Sequence, residues 1–318
     1  MRLSLRPRLL LLLTLGAGLL GAGPAAAAGI AFAIDSAAAS ISVVDMARQM
    51  EIRRIPALRE PHHLVLSPDG KDLIVGDTVG NQLLFLDPAT GDIKRRLTVA
   101  DPYQLGFSPD RKWLVVNGLA RNQVDVYDAA TYKLVKRFPL SSMPSHLVYS
   151  PDSAMVYVTL QGTDRLAAID LNTLSVRWNQ VVGKTPAGVL WNNGKLLVAA
   201  MGTDSLSVVE PADGRVLGRI VTGKGAHNLF HSPDKQIIYV NNRVAGTVVA
   251  LDAATLKPLR TYAVPGGPDD MDFAPDGRIW ITLRFAEKLA VLDPATGAIQ
   301  TIDVGRSPHG IWLNPKAP

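Results

Sequence analysis

Short apolar stretches alternate with polar turn residues along the chain after residue 29. In the first complete unit they are four to six residues long, rich in Leu, Val and Ile, and bounded by Gly, Pro, Asp or Asn. This pattern is typical of an antiparallel β-meander, and no stretch keeps a helical period. The unit predicts four strands, at residues 63–66, 72–75, 82–86 and 92–97.

A turn motif of the Ser-Pro-Asp type recurs at an almost constant step. Its serine position falls at residues 67, 108, 150 and 232, and Trp191, Ala274 and Asn314 take that position in the other units. The successive steps are 41, 42, 41, 41, 42 and 40 residues. A second turn, Asp-Pro-Ala-Thr-Gly at residues 87–91, recurs in variant forms beside the first. A fixed period of this size indicates one supersecondary unit repeated many times.

Four short antiparallel strands per unit predict the blades of a β-propeller. The complete blades span residues 59–100, 101–141, 142–183, 184–223, 224–265 and 266–305. Three more strands are predicted at residues 30–34, 40–44 and 51–55, and a last one at 309–314. We therefore predict an all-β, seven-bladed propeller of four-stranded antiparallel blades, in which the N-terminal strands pair with the C-terminal strand. Such closure removes the exposed sheet edges, whereas an open solenoid would need polar capping repeats.

The turn and strand motifs together resemble a known family. The second strand reads Tyr-Val-Thr at residues 157–159 and Tyr-Val-Asn-Asn at 239–242, in each case between a Ser-Pro-Asp turn and an Asp-x-x-Thr turn. This combination is similar to the YVTN-repeat β-propellers, and the resemblance covers the chain after residue 28. It implies a seven-bladed, exported protein. It implies little about activity, because propellers host binding, scaffolding and several chemistries.

The first residues have the features of a secretory signal peptide. Three arginines precede an apolar run at residues 9–20, and four alanines at 25–28 offer a cleavage site. We predict a signal peptide at 1–28 and a single propeller domain at 29–318. The protein would then be periplasmic or secreted, with no transmembrane anchor after cleavage.

The charge balance changes when the signal peptide is set aside. Removing its three arginines from 33 Lys plus Arg leaves 30 against 28 Asp plus Glu, a net charge of +2. This gives no reason to expect a nucleic-acid partner, and we expect a monomer. The chain has no cysteine, which excludes disulfides, thiolate nucleophiles, cysteine zinc sites and covalent c-type haem.

Five of the six histidines fall in two neighbouring columns of the repeat. They lie four or five residues before the serine position of the turn: His62, His63, His146, His227 and His309. These columns begin the innermost strand of each blade, on the face opposite the Ser-Pro-Asp turns. We therefore predict that the five imidazoles surround one mouth of the axial channel. The sixth, His231, lies beside its turn and is interpreted as a packing residue.

Other polar residues are predicted on the same face. The ligand-binding set adds five of them: Asp269, Asp270, Arg121, Arg243 and Arg284. Neutral imidazole is the commonest metal ligand, which makes four histidines the metal candidates: His63, His146, His227 and His309. The structural alternative is that a repeated polar column caps strands or bonds neighbouring blades. Asp272 should point away from its neighbours in a strand.

Three functions compete for this pattern. The first is a non-enzymatic binding or scaffold protein that holds a small ligand, a metal or a partner protein at the mouth. The second is a redox-cofactor protein similar to haem d1 propellers, with a haem-type tetrapyrrole over the channel, although those domains have eight blades. The third is a metal-dependent hydrolase or lactonase. No nucleophile elbow or phosphate-binding loop occurs in the sequence, and we expect the first function.

Overall fold

The computed structural model describes residues 28–56 and 59–317. Within these ranges the chain forms 28 β-strands in seven four-stranded antiparallel sheets. Each sheet is one blade, so the predicted seven-bladed propeller is confirmed. Three single-turn 3₁₀ helices connect the second and third strands of their blades: Ser36–Ala38, Gln161–Thr163 and Met201–Thr203.

The strands follow the chain blade by blade. Blade 7 begins the chain with β1 (Ile30–Asp35), β2 (Ser40–Asp45) and β3 (Met50–Pro56). Blades 1 to 3 consist of β4 (Pro61–Leu66), β5 (Leu73–Asp77), β6 (Gln82–Leu86), β7 (Ile93–Thr98), β8 (Gln104–Phe107), β9 (Trp113–Gly118), β10 (Gln123–Asp128), β11 (Leu134–Pro139), β12 (Pro144–Tyr149), β13 (Met155–Leu160), β14 (Arg165–Asp170) and β15 (Ser175–Val181).

Blades 4 to 6 repeat the same order, innermost strand first. They consist of β16 (Pro186–Asn192), β17 (Lys195–Ala200), β18 (Ser205–Val209), β19 (Val216–Val221), β20 (Ala226–His231), β21 (Ile237–Asn242), β22 (Thr247–Asp252), β23 (Pro258–Ala263), β24 (Pro268–Phe273), β25 (Ile279–Leu283), β26 (Lys288–Leu292) and β27 (Ile299–Asp303). The chain ends with β28 (Pro308–Asn314), the innermost strand of blade 7.

The two ends of the described chain close the ring. The C-terminal β28 pairs antiparallel with β1, in a register that sets Phe32 opposite Trp312, and their rings stack with centroids 5.9 Å apart. Blade 7 therefore contains three strands from the beginning of the fold and one from its end, as predicted. Closure matters for function because it brings residues that are distant in sequence to one channel.

Apolar side chains fill the space between every pair of neighbouring blades. The described residues form seven buried apolar clusters, and each cluster joins one blade to the next. The second and third strands of each blade are largely buried, whereas the outermost strands consist mostly of exposed residues. Burial of this kind is the main favourable contribution to folding. It leaves the innermost strands free to place polar side chains on the axis.

The turns on one face repeat the same local bonds. In the first turn the Ser67 hydroxyl donates to Asp69 at 2.7 Å and accepts the Asp72 backbone N–H at 2.9 Å. Blade 4 differs, because its hairpin turns at Asn193 and Gly194, with φ of +46° and +75°. Two successive positive φ values are typical of the tight type I′ hairpin turn. This turn is therefore of a different type from the Ser-Pro-Asp turns.

The predicted signal peptide, and the export that it implies, stay predictions. The predicted signal peptide lies outside the described residues, apart from residue 28. Within the described ranges, the chain has no helix with the length and apolar character that crossing a membrane would require.

Candidate functional site

A β-bulge turns neighbouring residues toward the axis at the start of the innermost strands. Between Pro61 and Leu64, β4 has one residue more than its partner β5. Five other innermost strands show the same shift near their beginning: β12, β16, β20, β24 and β28. A regular strand would send successive side chains to opposite faces, and a bulge re-aims them. His62 and His63 are therefore in mutual contact, with ring centroids 5.0 Å apart.

Threonines on the second strand connect the bulges of successive blades. The Thr159 hydroxyl accepts the His146 backbone N–H at 3.0 Å and donates to the carbonyl of Ala187, in the next blade, at 2.8 Å. The Thr282 hydroxyl likewise donates to the carbonyl of His309 at 2.6 Å. These bonds fix the backbone that carries the histidines, so their side chains project from a rigid support.

The structure brings the five predicted histidines together just inside one mouth of the channel. Ring centroids are 3.8 Å apart for His62 and His309, 4.6 Å for His63 and His309, and 5.2 Å for His63 and His146. His227 follows at 5.5 Å from His146. All five side chains are at most 5 % exposed. The imidazoles therefore fill the inside of the mouth and do not form a solvated rim.

Tyr103 completes the cluster from blade 2, at the same repeat position as His62. Its ring lies on that of His62, with centroids 3.8 Å apart. Burial raises the pKa of Tyr103 to about 12, so it is a neutral phenol. The Ser145 hydroxyl lies 2.7 Å from His146 Nδ1. Tyr103 and Ser145 were not in the predicted site. They occupy the same two repeat positions as the histidines, and this could have placed them at the mouth.

Asp269 organises the charged part of the mouth. Its carboxylate lies 2.9 Å from His227 Nδ1 and 3.7 Å from His309 Nε2. Arg243 pairs with the same carboxylate and also lies 2.5 Å from His227 Nε2. Arg284 lies 3.9 Å from Asp269. The carboxylate is fully buried and the arginine side chains are 19 % and 21 % exposed. The two arginines therefore cover the cluster on the solvent side.

Burial sets the charge states inside the mouth. It lowers the pKa of His62, His146 and His309 well below the usual value. Burial also lowers the pKa of His63, to about 3. Burial alone would raise the pKa of Asp269, but His227 and the arginines outweigh that effect and hold its pKa below the usual range. The cluster therefore combines neutral imidazoles with an ionised carboxylate.

Among the residues that the structure describes, four buried imidazole nitrogens have no hydrogen-bond partner. They are His62 Nδ1, His63 Nε2, His146 Nε2 and His309 Nδ1. An unpartnered buried polar atom costs about 1–3 kcal/mol, and native proteins keep few of them. These four nitrogens could accept or donate hydrogen bonds or bind an ion.

Three of the histidines are placed to share one ion. Candidate ligand atoms of His62, His63 and His309 all lie within 4.8 Å of one another. The predicted metal candidates differ from this group, because they omitted His62 and included His146 and His227. Both ring nitrogens of His227 face Asp269 and Arg243. The positions of the histidines in the repeat do not show which ring nitrogens already have a partner, because that depends on the directions of the side chains.

Two residues of the predicted site lie apart from the cluster. Arg121 is exposed, and its guanidinium donates to Asn81 at 3.2 Å on the outer rim. Asp270 faces the next blade, where its carboxylate accepts a hydrogen bond from the Ile311 backbone, and burial raises its pKa well above the usual value. Asp270 therefore connects blades 6 and 7.

Two residues predicted to lie outside the site do so. The carboxylate of Asp272 accepts the backbone N–H of Leu313 at 2.8 Å, so it also bonds the neighbouring blade. The imidazole of His231 lies 3.0 Å from Asn192 Oδ1, near the opposite face.

A surface cavity reaches the cluster from the side of blades 1 and 2. Its volume is ≈ 260 Å³, and Glu60, Asp101, Tyr103 and Arg121 are among its lining residues. Because Tyr103 lies on His62, the cavity is separated from the histidines by one aromatic ring. The cavity therefore ends at the ring of Tyr103.

The fold and the polar mouth define the class of this protein as a closed β-propeller with an axial site. More specifically, residues 15–318 match the family described as YNCE-like beta-propeller, and the chain belongs to that family. No curated protein matches the chain in sequence. The narrower resemblance to YVTN-repeat propellers stays a prediction.

Solved structures share the fold at low sequence identity. A functionally unknown protein from Desulfotomaculum acetoxidans aligns with a TM-score of 0.78 and 12% identity, over 90% of this chain and 99% of that one. Hydrazine synthase from Kuenenia stuttgartiensis gives 0.67 and 18%, over 80% and 92%. The dihydro-heme d1 dehydrogenase NirN in complex with DHE gives 0.67 and 15%, over 94% and 78%. At these identities the likeness concerns the fold alone.

Proposed function

We propose that this protein is an exported, non-enzymatic binding protein of the YVTN-repeat type, which holds its ligand at the histidine-rich mouth of the channel. The observation that carries the proposal is the set of four buried, unpartnered imidazole nitrogens at one place. A ligand that binds them would remove the cost of about 1–3 kcal/mol per unpartnered atom. Export to the periplasm or outside the cell follows from the signal-peptide pattern of residues 1–28.

The engaged carboxylates of the mouth favour binding over hydrolysis. The histidine backbone is held by bonds between blades, as at Thr282 and His309. Asp269 is already paired with Arg243 and His227, and Asp270 bonds the next blade. No free pair of carboxylates therefore faces the axis among these residues, which weakens the hydrolase or lactonase alternative. The ligand would be a small molecule, an ion or a group presented by a partner protein.

A haem-type cofactor is the second candidate. Imidazole is a common axial ligand of haem, and the partly exposed Arg284 could meet a propionate. The five rings are already in mutual contact, however, so a macrocycle would have to lie above the arginines. A visible absorption spectrum of protein from its native host tests this alternative, because a bound haem gives a Soret band.

Native mass spectrometry of protein purified from its host tests the binding function. We expect a bound species on the wild-type chain that is lost in the His146→Ala, His309→Ala double variant. His231→Ala is the matched control, because it removes an imidazole outside the mouth and should keep the bound species. A bare wild-type chain, with no thermal shift from any ligand in a screen of small molecules and ions, would contradict the proposal.

A further inference from the structure

We infer that the ligand of the mouth is a single transition-metal ion, bound by His62, His63 and His309. The inference rests on the proposed binding function and specifies its ligand. Candidate ligand atoms of the three side chains lie within 4.8 Å of one another, and all three residues are buried. Tetrahedral nitrogen ligands around an ion are ~3.4 Å apart, given metal–nitrogen bonds of about 2.0–2.1 Å. Small side-chain rotations would close that difference.

Each of the three side chains has a ring nitrogen that is available to an ion. His62 Nδ1, His63 Nε2 and His309 Nδ1 are buried and without hydrogen-bond partners. Metal ions bind neutral imidazole, and burial lowers the pKa of all three histidines far enough to keep them neutral. Each lone pair is therefore available, and binding an ion would satisfy three buried atoms at once.

Asp269 is placed to become the outer partner that metal-binding histidines usually have, because its Oδ2 atom is buried near His309 and has no hydrogen-bond partner among the described residues. Its carboxylate lies 3.7 Å from His309 Nε2, on the side of the ring opposite the unpartnered Nδ1. A carboxylate on the far nitrogen fixes the tautomer and makes the other nitrogen more basic. Asp269 is thus a positioning residue for the proposed site. The arrangement assigns Nδ1 of His309 to the ion.

The donor set selects the class of ion. Imidazole nitrogen suits Zn, Cu and Ni, whereas Ca²⁺ and Mg²⁺ prefer oxygen ligands. The Oδ1 atom of Asp269 is held by Arg243 and His227, and its Oδ2 atom lies behind His309, 3.7 Å from Nε2. Three protein ligands also leave at least one coordination position for water or another small molecule. His146 lies beside the group, with Nε2 unpartnered, and it is the nearest reserve donor, since its ring centroid is 5.2 Å from that of His63.

Metal titration of chelator-treated protein tests the inference. The propeller would be produced without a histidine tag, and Zn²⁺, Cu²⁺, Ni²⁺, Mg²⁺ and Ca²⁺ would each be titrated by calorimetry in competition with a chelator. We expect one equivalent of a transition metal with a Kd below about 1 μM, and no uptake of Mg²⁺ or Ca²⁺. The His62→Gln and His309→Gln variants should each lower the affinity at least about 100-fold. Glutamine nearly keeps the side-chain volume, and circular dichroism checks that each variant folds.

The controls separate this inference from the binding function. His231→Ala should bind the metal as the wild type does. Uptake of no transition metal by the wild type, or unchanged affinity in folded His62→Gln and His309→Gln, overturns the metal site. If the host-purified chain then still carries a small molecule that His146→Ala, His309→Ala loses, the binding function stands without the metal. If it carries nothing, both proposals fail.

Discussion

The two faces of the propeller use polar residues in opposite ways. On the turn face, Ser67, Ser108, Ser150 and Ser232 each donate to the Asp two residues on and accept a backbone N–H. At the mouth, four imidazole nitrogens are buried without partners. The same repeat period thus produces one set of polar groups that is locally satisfied and another that is not.

This difference distinguishes polar residues that stabilise their own turn from polar residues that are available to a ligand. A repeated residue whose bonds are all made within its own turn needs nothing from outside, and blade 6 shows that it is dispensable. There Ala274 replaces the serine, and the turn still closes with a backbone bond from Gly277 to Ala274 at 2.9 Å. The mouth residues differ between blades, so they fit no such local role. We therefore expect mutations on the two faces to differ in kind.

Removal of Asp269 should have the largest effect on stability. Asp269→Ala leaves Arg243 without its buried partner, and breaking a buried ion pair costs about 3–5 kcal/mol. Urea denaturation measures the loss. In folded protein, Asp269→Asn should also weaken metal binding about 10–100-fold, because His309 loses its outer carboxylate.

Asp125 provides the matched control for that change. It is another buried carboxylate, paired with Arg137 at 2.7 Å in blade 2. Asp125→Asn should destabilise the fold and leave metal affinity unchanged. Equal metal affinities for Asp125→Asn and Asp269→Asn would show that Asp269 does not position a ligand.

Asp35 should make stability depend on pH. It is buried near the mouth end of β1 and accepts hydrogen bonds from Ser40 and Ser42, yet burial raises its pKa from 3.8 to about 6. A raised pKa means that the folded state holds the proton more tightly, so the stabilisation is complete below the unfolded pKa and is lost as pH rises through about 6. The loss is about 3 kcal/mol at 1.36 kcal/mol per pKa unit.

Urea denaturation of wild type and Asp35→Asn between pH 4 and 7 measures this effect. The difference between their unfolding free energies should change with pH, because Asn does not titrate and other groups cancel in the comparison. Parallel profiles would indicate that Asp35 titrates as an ordinary carboxyl group.

The smallest effect is expected on the turn face. Ser108→Ala removes bonds to Asp110 at 2.6 Å and from the Trp113 backbone N–H at 3.0 Å. We expect a loss of about 1 kcal/mol and no change in ligand or metal binding. A large effect on binding would mean that the two faces are coupled and that the distinction between them is wrong.

Most of the fold and about half of the candidate site can be predicted from the sequence. The turn period predicted the seven blades and the ring closure, and the histidine columns placed His62 and His309 at one mouth although 247 positions separate them. The β-bulge is a tertiary feature without a residue signature here, so the contact between His62 and His63 was not derivable from strand alternation. The pairing of Asp269 with Arg243 depends on the directions of the two side chains, which the sequence does not show. For the same reason the sequence did not show that Asp270 bonds the next blade.

The most direct test is an anomalous diffraction experiment on crystals of the chelator-treated protein soaked in Zn²⁺ or Cu²⁺. Data collected above and below the absorption edge of the metal locate the ion. We predict one strong peak inside the mouth, within bonding distance of nitrogens of His62, His63 and His309. An anomalous map with no peak there, or with peaks only on the outer surface, would contradict this prediction.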